Sequence, residues 1–93
     1  MPAYVYILLC RDGGCYHGST NDLSRRLARH RAGLVRSTKS RLPVRLVYYE
    51  ECETPAQARQ RERSLKHGRT RRKAIDLMIR GFPGERLAPF ACP

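Results

Sequence analysis

Ninety-three residues carrying 19 Lys and Arg against 8 Asp and Glu, a net charge of +11, suffice for one domain with one modest core and leave no room for a second module. The longest apolar runs, Tyr4 to Cys10 and Val44 to Tyr49, fall far short of the roughly 20 apolar residues of a membrane-spanning helix. The basic excess, clustered in Arg25 to Arg31, Arg59 to Arg63 and Arg69 to Lys73, points to a polyanionic partner, nucleic acid before an acidic membrane surface.

Tyr4 to Cys10 is aromatic and β-branched and is followed by Asp12-Gly13-Gly14, which predicts a strand running into a hairpin with Cys15 to Ser19 returning. Thr20, Asn21 and Asp22 offer N-caps for a helix over Asp22 to Ala32, and Gly33 stands just past its end. Ser37 to Pro43 is polar and basic, and its proline suits the start of a third strand, Val44 to Tyr49. Thr54-Pro55-Ala56-Gln57 has the form of a capping box with proline at the first helical position, opening a second helix that runs to His67 and stops at Gly68. Thr70 can cap a third helix carrying Ala74, Ile75, Met78 and Ile79, with Gly81 as its stop. Phe82 to Pro93 holds three prolines and no period, and is left as an unassigned tail. The order β-β-α-β-α-α over residues 1–81 implies an α+β domain, a small three-stranded sheet flanked by three helices, with arginines on the connections to blunt its edges.

Two of these helices carry polar residues in apolar stripes. Leu23, Leu27, His30 and Leu34 share one helix face, bordered by Arg26, while Ala58, Glu62 and Leu65 share another. Inward imidazole, guanidinium and carboxylate groups must be paired, hydrated or used, which makes a site the first hypothesis. The hairpin constrains it further. A three-residue loop of Asp12, Gly13 and Gly14 sets Cys10 opposite Tyr16 and puts Tyr6 and Tyr16 on one face, with Gly14 as the left-handed residue; His17 then points the other way.

Cys10, Cys15, Cys52 and Cys92 show no metal-ribbon or redox spacing and read as small buried or incidental thiols, although Cys10 and Cys15 flank a turn and could approach. The start Met1-Pro2-Ala3 leads into a strand rather than an export signal, so a reducing cytoplasm is expected.

Tyr4-Val5-Tyr6, then Tyr16-His17-Gly18, then Asp22 to His30, then Ala58, Glu62, Leu65 and Lys66 together resemble the GIY-YIG nuclease domain, above all its small single-domain bacterial branch, over about Pro2 to Ile79. Asp12-Gly13, Gly18 to Leu23 and Leu42 to Tyr49 add to the likeness. The resemblance implies an endonuclease that hydrolyses phosphodiesters with one divalent cation, Mg²⁺ or Mn²⁺. By position, Glu62 is similar to the metal-binding glutamate, Arg26 to the phosphate-binding arginine, Tyr6 and Tyr16 to the motif tyrosines, and His30 to the histidine or tyrosine beside them. Mg²⁺ prefers oxygen ligands and keeps its waters, so one carboxylate and a substrate phosphate can hold it. A guanidinium grips a phosphoryl oxygen in a planar fork. A tyrosine is a poor base at neutral pH, and either Tyr6 or Tyr16 needs help from Arg26, His30 or the metal.

Taken singly, each residue has a plainer reading: core tyrosines, a satisfied interior histidine, and an Arg26–Glu62 ion pair. Five of the expected types at the expected spacings favour a shared site. The chain departs from the pattern at Tyr4, where the family has glycine, and at His17. With no separate DNA-reading module, selectivity is expected to be weak and guided by nucleic-acid structure or by a protein partner. The basic surface is assigned to Arg25, Arg29, Arg69, Arg71 and Arg72, and the partner to nucleic acid, DNA before RNA, with no membrane role. The alternative is a nucleic-acid-binding protein that keeps the fold with little or no cleavage; a small ribonucleoprotein component ranks third.

Overall fold

The computed structural model describes residues 2–66 and 71–90. Strands β1 (Ala3–Cys10), β2 (Cys15–Thr20) and β3 (Val44–Cys52) and helices α1 (Leu23–Arg31), α2 (Pro55–Lys66) and α3 (Arg71–Gly81) follow one another in the order β-β-α-β-α-α. The sheet is antiparallel in the order β2-β1-β3. The fold is α+β, as the sequence pattern predicts.

The central strand explains its own composition. Ala3, Val5, Tyr6, Ile7, Leu8 and Cys10 are all buried, because both faces of β1 are covered. Tyr6 and Leu8 pack with Leu23 and Leu27 of α1 and Leu46 of β3. Ala3 and Val5 pack with Ala58 and Leu65 of α2, and Ile7 with Val47 and Ile75 of α3. A register shift between Ile7 and Leu8 makes Val47 an extra residue in β3. Val47 and Tyr48 therefore both join the Ile7 side, while Leu46 and Tyr49 stay on the α1 side. This bulge keeps β3 in pairing out to Cys52, three residues beyond the predicted end.

The hairpin turns one step earlier than its sequence suggests. Leu8 pairs with Tyr16, Cys10 N–H donates to the Gly14 carbonyl at 2.9 Å, and the loop is Arg11-Asp12-Gly13. Gly13, not Gly14, takes the left-handed conformation, at φ 85°. Arg41 fixes this choice: it pairs with Asp12 at 2.8 Å, and Asp12 Oδ1 accepts the Gly14 N–H at 2.9 Å. Arg41 and Gly14 hold the Asp12 carboxyl down at about 2. A shift of two residues preserves the face, so Tyr6 and Tyr16 still share one. The same alternation sends Cys10 and Cys15 to opposite faces.

Asp22 caps α1, accepting from Arg25 N–H at 3.1 Å, and Gly33 follows the helix at φ 75°. Leu34 lies past this end and is 62% exposed, so it leaves the stripe to which its spacing assigned it. Thr54 Oγ1 accepts the Gln57 N–H at 3.2 Å, and Gln57 Oε1 reaches back to Glu53 N–H at 3.0 Å, one residue before the expected partner. His67, Gly68, Thr70 and Cys92, named above as helix signals or thiols, lie outside the described residues. Residues 82–90 form two 3-10 turns, Gly84–Arg86 and Ala88–Phe90, which set Phe82 and Phe90 against Tyr49 at ring distances of 5.2 and 5.3 Å. Among the described residues no helix is long and apolar enough to cross a membrane.

Candidate active site

Tyr6 occupies the middle of β1, directly across from Gly18 of β2. Its ring crosses the bare Cα of Gly18, where an added Cβ would lie 2.5 Å from both Cζ and the hydroxyl. That passage carries the hydroxyl to His30 of α1, 2.8 Å from Nε2. His30 Nδ1 lies 2.8 Å from Thr38 Oγ1, and Thr38 Oγ1 lies 3.5 Å from the Val35 carbonyl oxygen. Tyr6, His30 and Thr38 are each 0% exposed. Arg26, one turn before His30 on α1, donates from Nε to the Tyr6 oxygen at 3.4 Å. The Tyr16 ring stands 6.3 Å from that of Tyr6 and 5.1 Å from His30, and is partly exposed.

Four of the five predicted residues thus form one contact network, layered from inside to outside. Burial pushes the Tyr6 hydroxyl up to about 12, against the lowering effect of the Arg26 N–H. Burial, and then the Arg26 charge, pushes His30 down to about 4, so its ring is neutral at pH 7. Neither group reaches solvent. Arg26 is held as a cation, first by its bond to Tyr6 and then by Tyr16. It opens onto a groove of about 490 Å³ lined by Thr20, Asn21, Asp22, Arg25, Arg26 and Arg29.

Glu62 stands apart from this network. It lies on α2, which packs against β2 and β1, and its Oε2 pairs with Lys66 at 2.7 Å. It does not bond Arg26; its charge reaches the group only as a field that raises the Tyr6 pKa. Among the described residues no three His, Cys, Asp or Glu converge as a metal cage. A partly exposed single carboxylate fits a hard cation that keeps most of its waters and takes further oxygens from a phosphate.

The arginine clusters divide by use. Arg25 and Arg29 line the groove, but Arg31 donates to the Phe90 carbonyl, Arg61 forks onto Glu50 with its shortest contact at 3.0 Å, and Arg86 lies 5.0 Å over the Tyr49 ring. Half-buried neighbours claim these three, so a count of basic residues overstates the free basic surface. Arg69 and the side chains of Arg71 and Arg72 lie outside the described residues. Thr38 is the residue that sequence reasoning passed over; inside a polar, basic stretch, nothing in its spacing marks it as buried.

A family description for the GIY-YIG catalytic domain matches residues 2–75. The chain belongs to the GIY-YIG family. It is similar to a UPF0213 protein of Staphylococcus saprophyticus, 38% identical over 79 residues, which span 84% of this chain and 95% of that protein. A UPF0213 protein of Lacticaseibacillus paracasei is 41% identical over 75 residues, 80% of this chain and 84% of that protein. The solution structure of the UPF0213 protein BH0048 from Bacillus halodurans matches at a TM-score of 0.56 with 34% identity, covering 100% of both chains. Gly18 closes the second motif of the family name, and the Tyr6 ring passing over it supplies the physical reason for that glycine here.

Proposed function

We propose that this protein is a metal-dependent endonuclease that hydrolyses nucleic-acid phosphodiesters with weak sequence selectivity, DNA before RNA. The observation that carries the proposal is Arg26: a cation anchored at Nε by a buried tyrosine and set in the wall of a groove that Arg25 and Arg29 make basic. Arg26 grips a phosphoryl oxygen with its terminal nitrogens and offsets the charge that develops there. Arg25 and Arg29 hold flanking phosphates and read no bases. Tyr16, the partly exposed tyrosine of the pair, contacts the attacking water, while Tyr6 and His30 support Arg26 from within. Glu62 would hold the Mg²⁺ or Mn²⁺. The chemistry it would supply there is polarisation of the phosphoryl group and stabilisation of the leaving oxygen. Within the family domain, proposed as residues 1–81, the groove arginines meet phosphates rather than base edges, so selectivity would come from nucleic-acid structure or from a protein partner.

The Lys66 contact on Glu62 favours the second reading, nucleic-acid binding with little cleavage, because an ammonium competes with a cation for the same oxygen. Incubation with duplex, single-stranded and branched DNA and RNA in Mg²⁺ or Mn²⁺ separates the two. Wild type is expected to cut at least one DNA, and Glu62→Ala and Arg26→Ala to lose about a hundredfold or more in rate. Retardation without cutting, or variants that cut as well as wild type, would reject the nuclease.

A further inference from the structure

Arg26, Tyr6, His30, Thr38 and Val35 form a single file of hydrogen bonds leading from the groove into the core. Its two ends each have one possible role. The Arg26 Nε–H can only donate, and the Val35 carbonyl can only accept. One order gives every hydrogen an acceptor: Tyr6 O–H donates to His30 Nε2 and leaves its oxygen to receive Arg26, His30 Nδ1–H donates to Thr38 Oγ1, and Thr38 O–H turns toward the Val35 carbonyl, 3.5 Å away, which also accepts the Thr38 and Lys39 N–H groups. The reverse order would place an N–H on His30 Nε2, so that the Tyr6 oxygen received both donors and its own buried hydrogen had no acceptor among the described residues. The two inner contacts are short, 2.8 Å each, and lie where no water competes. The contact to Arg26 is longer, 3.4 Å, as contacts to functional groups often are before substrate tightens them.

We infer that Thr38 is a positioning residue: it selects the His30 tautomer that takes the Tyr6 hydrogen and leaves the Tyr6 oxygen to Arg26 alone, and so aims the guanidinium into the groove. Thr38 touches neither the groove nor Arg26 and is sealed from solvent. Its effect passes through two intervening side chains. The consequence for catalysis rests on the nuclease reading; the tautomer does not.

The test uses wild type, Thr38→Val, which keeps the shape and loses the hydroxyl, and Thr38→Ser, which restores it. Long-range ¹⁵N NMR of the His30 ring at pH 7 is expected to show the Nδ1–H tautomer in wild type and Thr38→Ser, and a shift toward Nε2–H in Thr38→Val. The Arg26 Nε–H signal is expected to be protected from exchange in the first two and lost in the third. With a cleavable substrate, Thr38→Val should lower kcat about tenfold or more with KM little changed, and Thr38→Ser should recover it. An Nε2–H tautomer in wild type overturns the inference even if Thr38→Val fails to fold. Unchanged His30 and Arg26 signals in folded Thr38→Val overturn it as well. Expected NMR signals in a wild type that cleaves nothing would instead reject the nuclease and leave the positioning role standing.

Discussion

Replacing Gly18 with alanine separates packing from backbone freedom by the sign of the effect. Gly18 lies in β2 and is not in the left-handed region, so on backbone grounds alone alanine should stabilise by about 0.4–1 kcal/mol. The added Cβ, however, would stand 2.5 Å from Cζ and from the hydroxyl of Tyr6. Tyr6 cannot swing aside cheaply, since its ring is planar, 0% exposed and flanked by the Tyr16 and His30 rings at 6.3 and 5.7 Å. Overpacking a filled core costs about 1–3 kcal/mol, and parting Tyr6 from His30 leaves buried polar atoms unpaired at about 1–3 kcal/mol more. Since both losses come from one displacement, we expect a net destabilisation of about 3 kcal/mol. Urea denaturation of wild type and Gly18→Ala measures it as a fall in midpoint at unchanged slope. A variant as stable as wild type, or more stable, would refute the close passage of Tyr6 over Gly18.

Gly13→Ala provides a contrast: nothing lies within 4 Å of its Cβ, so only its φ of 85° acts, and the same denaturation should show a loss of about 1–2 kcal/mol, with activity kept. Stability should also fall with acidification before the carboxylates titrate. His30 is near 6.5 when unfolded and about 4 when folded, so between those values the unfolded chain takes up a proton that the folded chain refuses. Stability is full above pH 6.5 and declines by about 3 kcal/mol down to about pH 4; a His30→Gln variant that keeps the same slope would contradict this. Binding to duplex DNA should weaken linearly in log–log plots against salt, and Arg25→Ala with Arg29→Ala should lower the slope by about 2; an unchanged slope would place the phosphates elsewhere.

The fold was legible where local rules and tertiary packing agree. The buried run of β1, the Asp22 cap, and Ala58 and Leu65 on one stripe all act through period and capping, which a sequence displays. The hairpin register was legible only to the face. Which glycine turns left depends on Arg41, 29 residues from Asp12, and no local rule contains that pair. The Val47 bulge and the seat of Phe82 and Phe90 on Tyr49 are likewise set by distant partners. In the site, types and spacing brought out Tyr6, Tyr16, Arg26 and His30, whereas depth did not show: Tyr6 and His30 are sealed, and Thr38 closes the chain from a loop with no period. Leu34 failed because a stripe extrapolated past its helix has no face left to share.

The central claim, that Arg26 and Glu62 act on one phosphodiester with different roles, meets its most direct test in single-turnover cleavage and equilibrium binding measured together for wild type and Glu62→Gln at saturating protein. Loss of a negative charge beside a bound polyanion should leave binding equal or tighter while the Mg²⁺-dependent rate falls about a hundredfold or more. Cleavage at the wild-type rate by Glu62→Gln, or rate and binding falling in parallel, would contradict it.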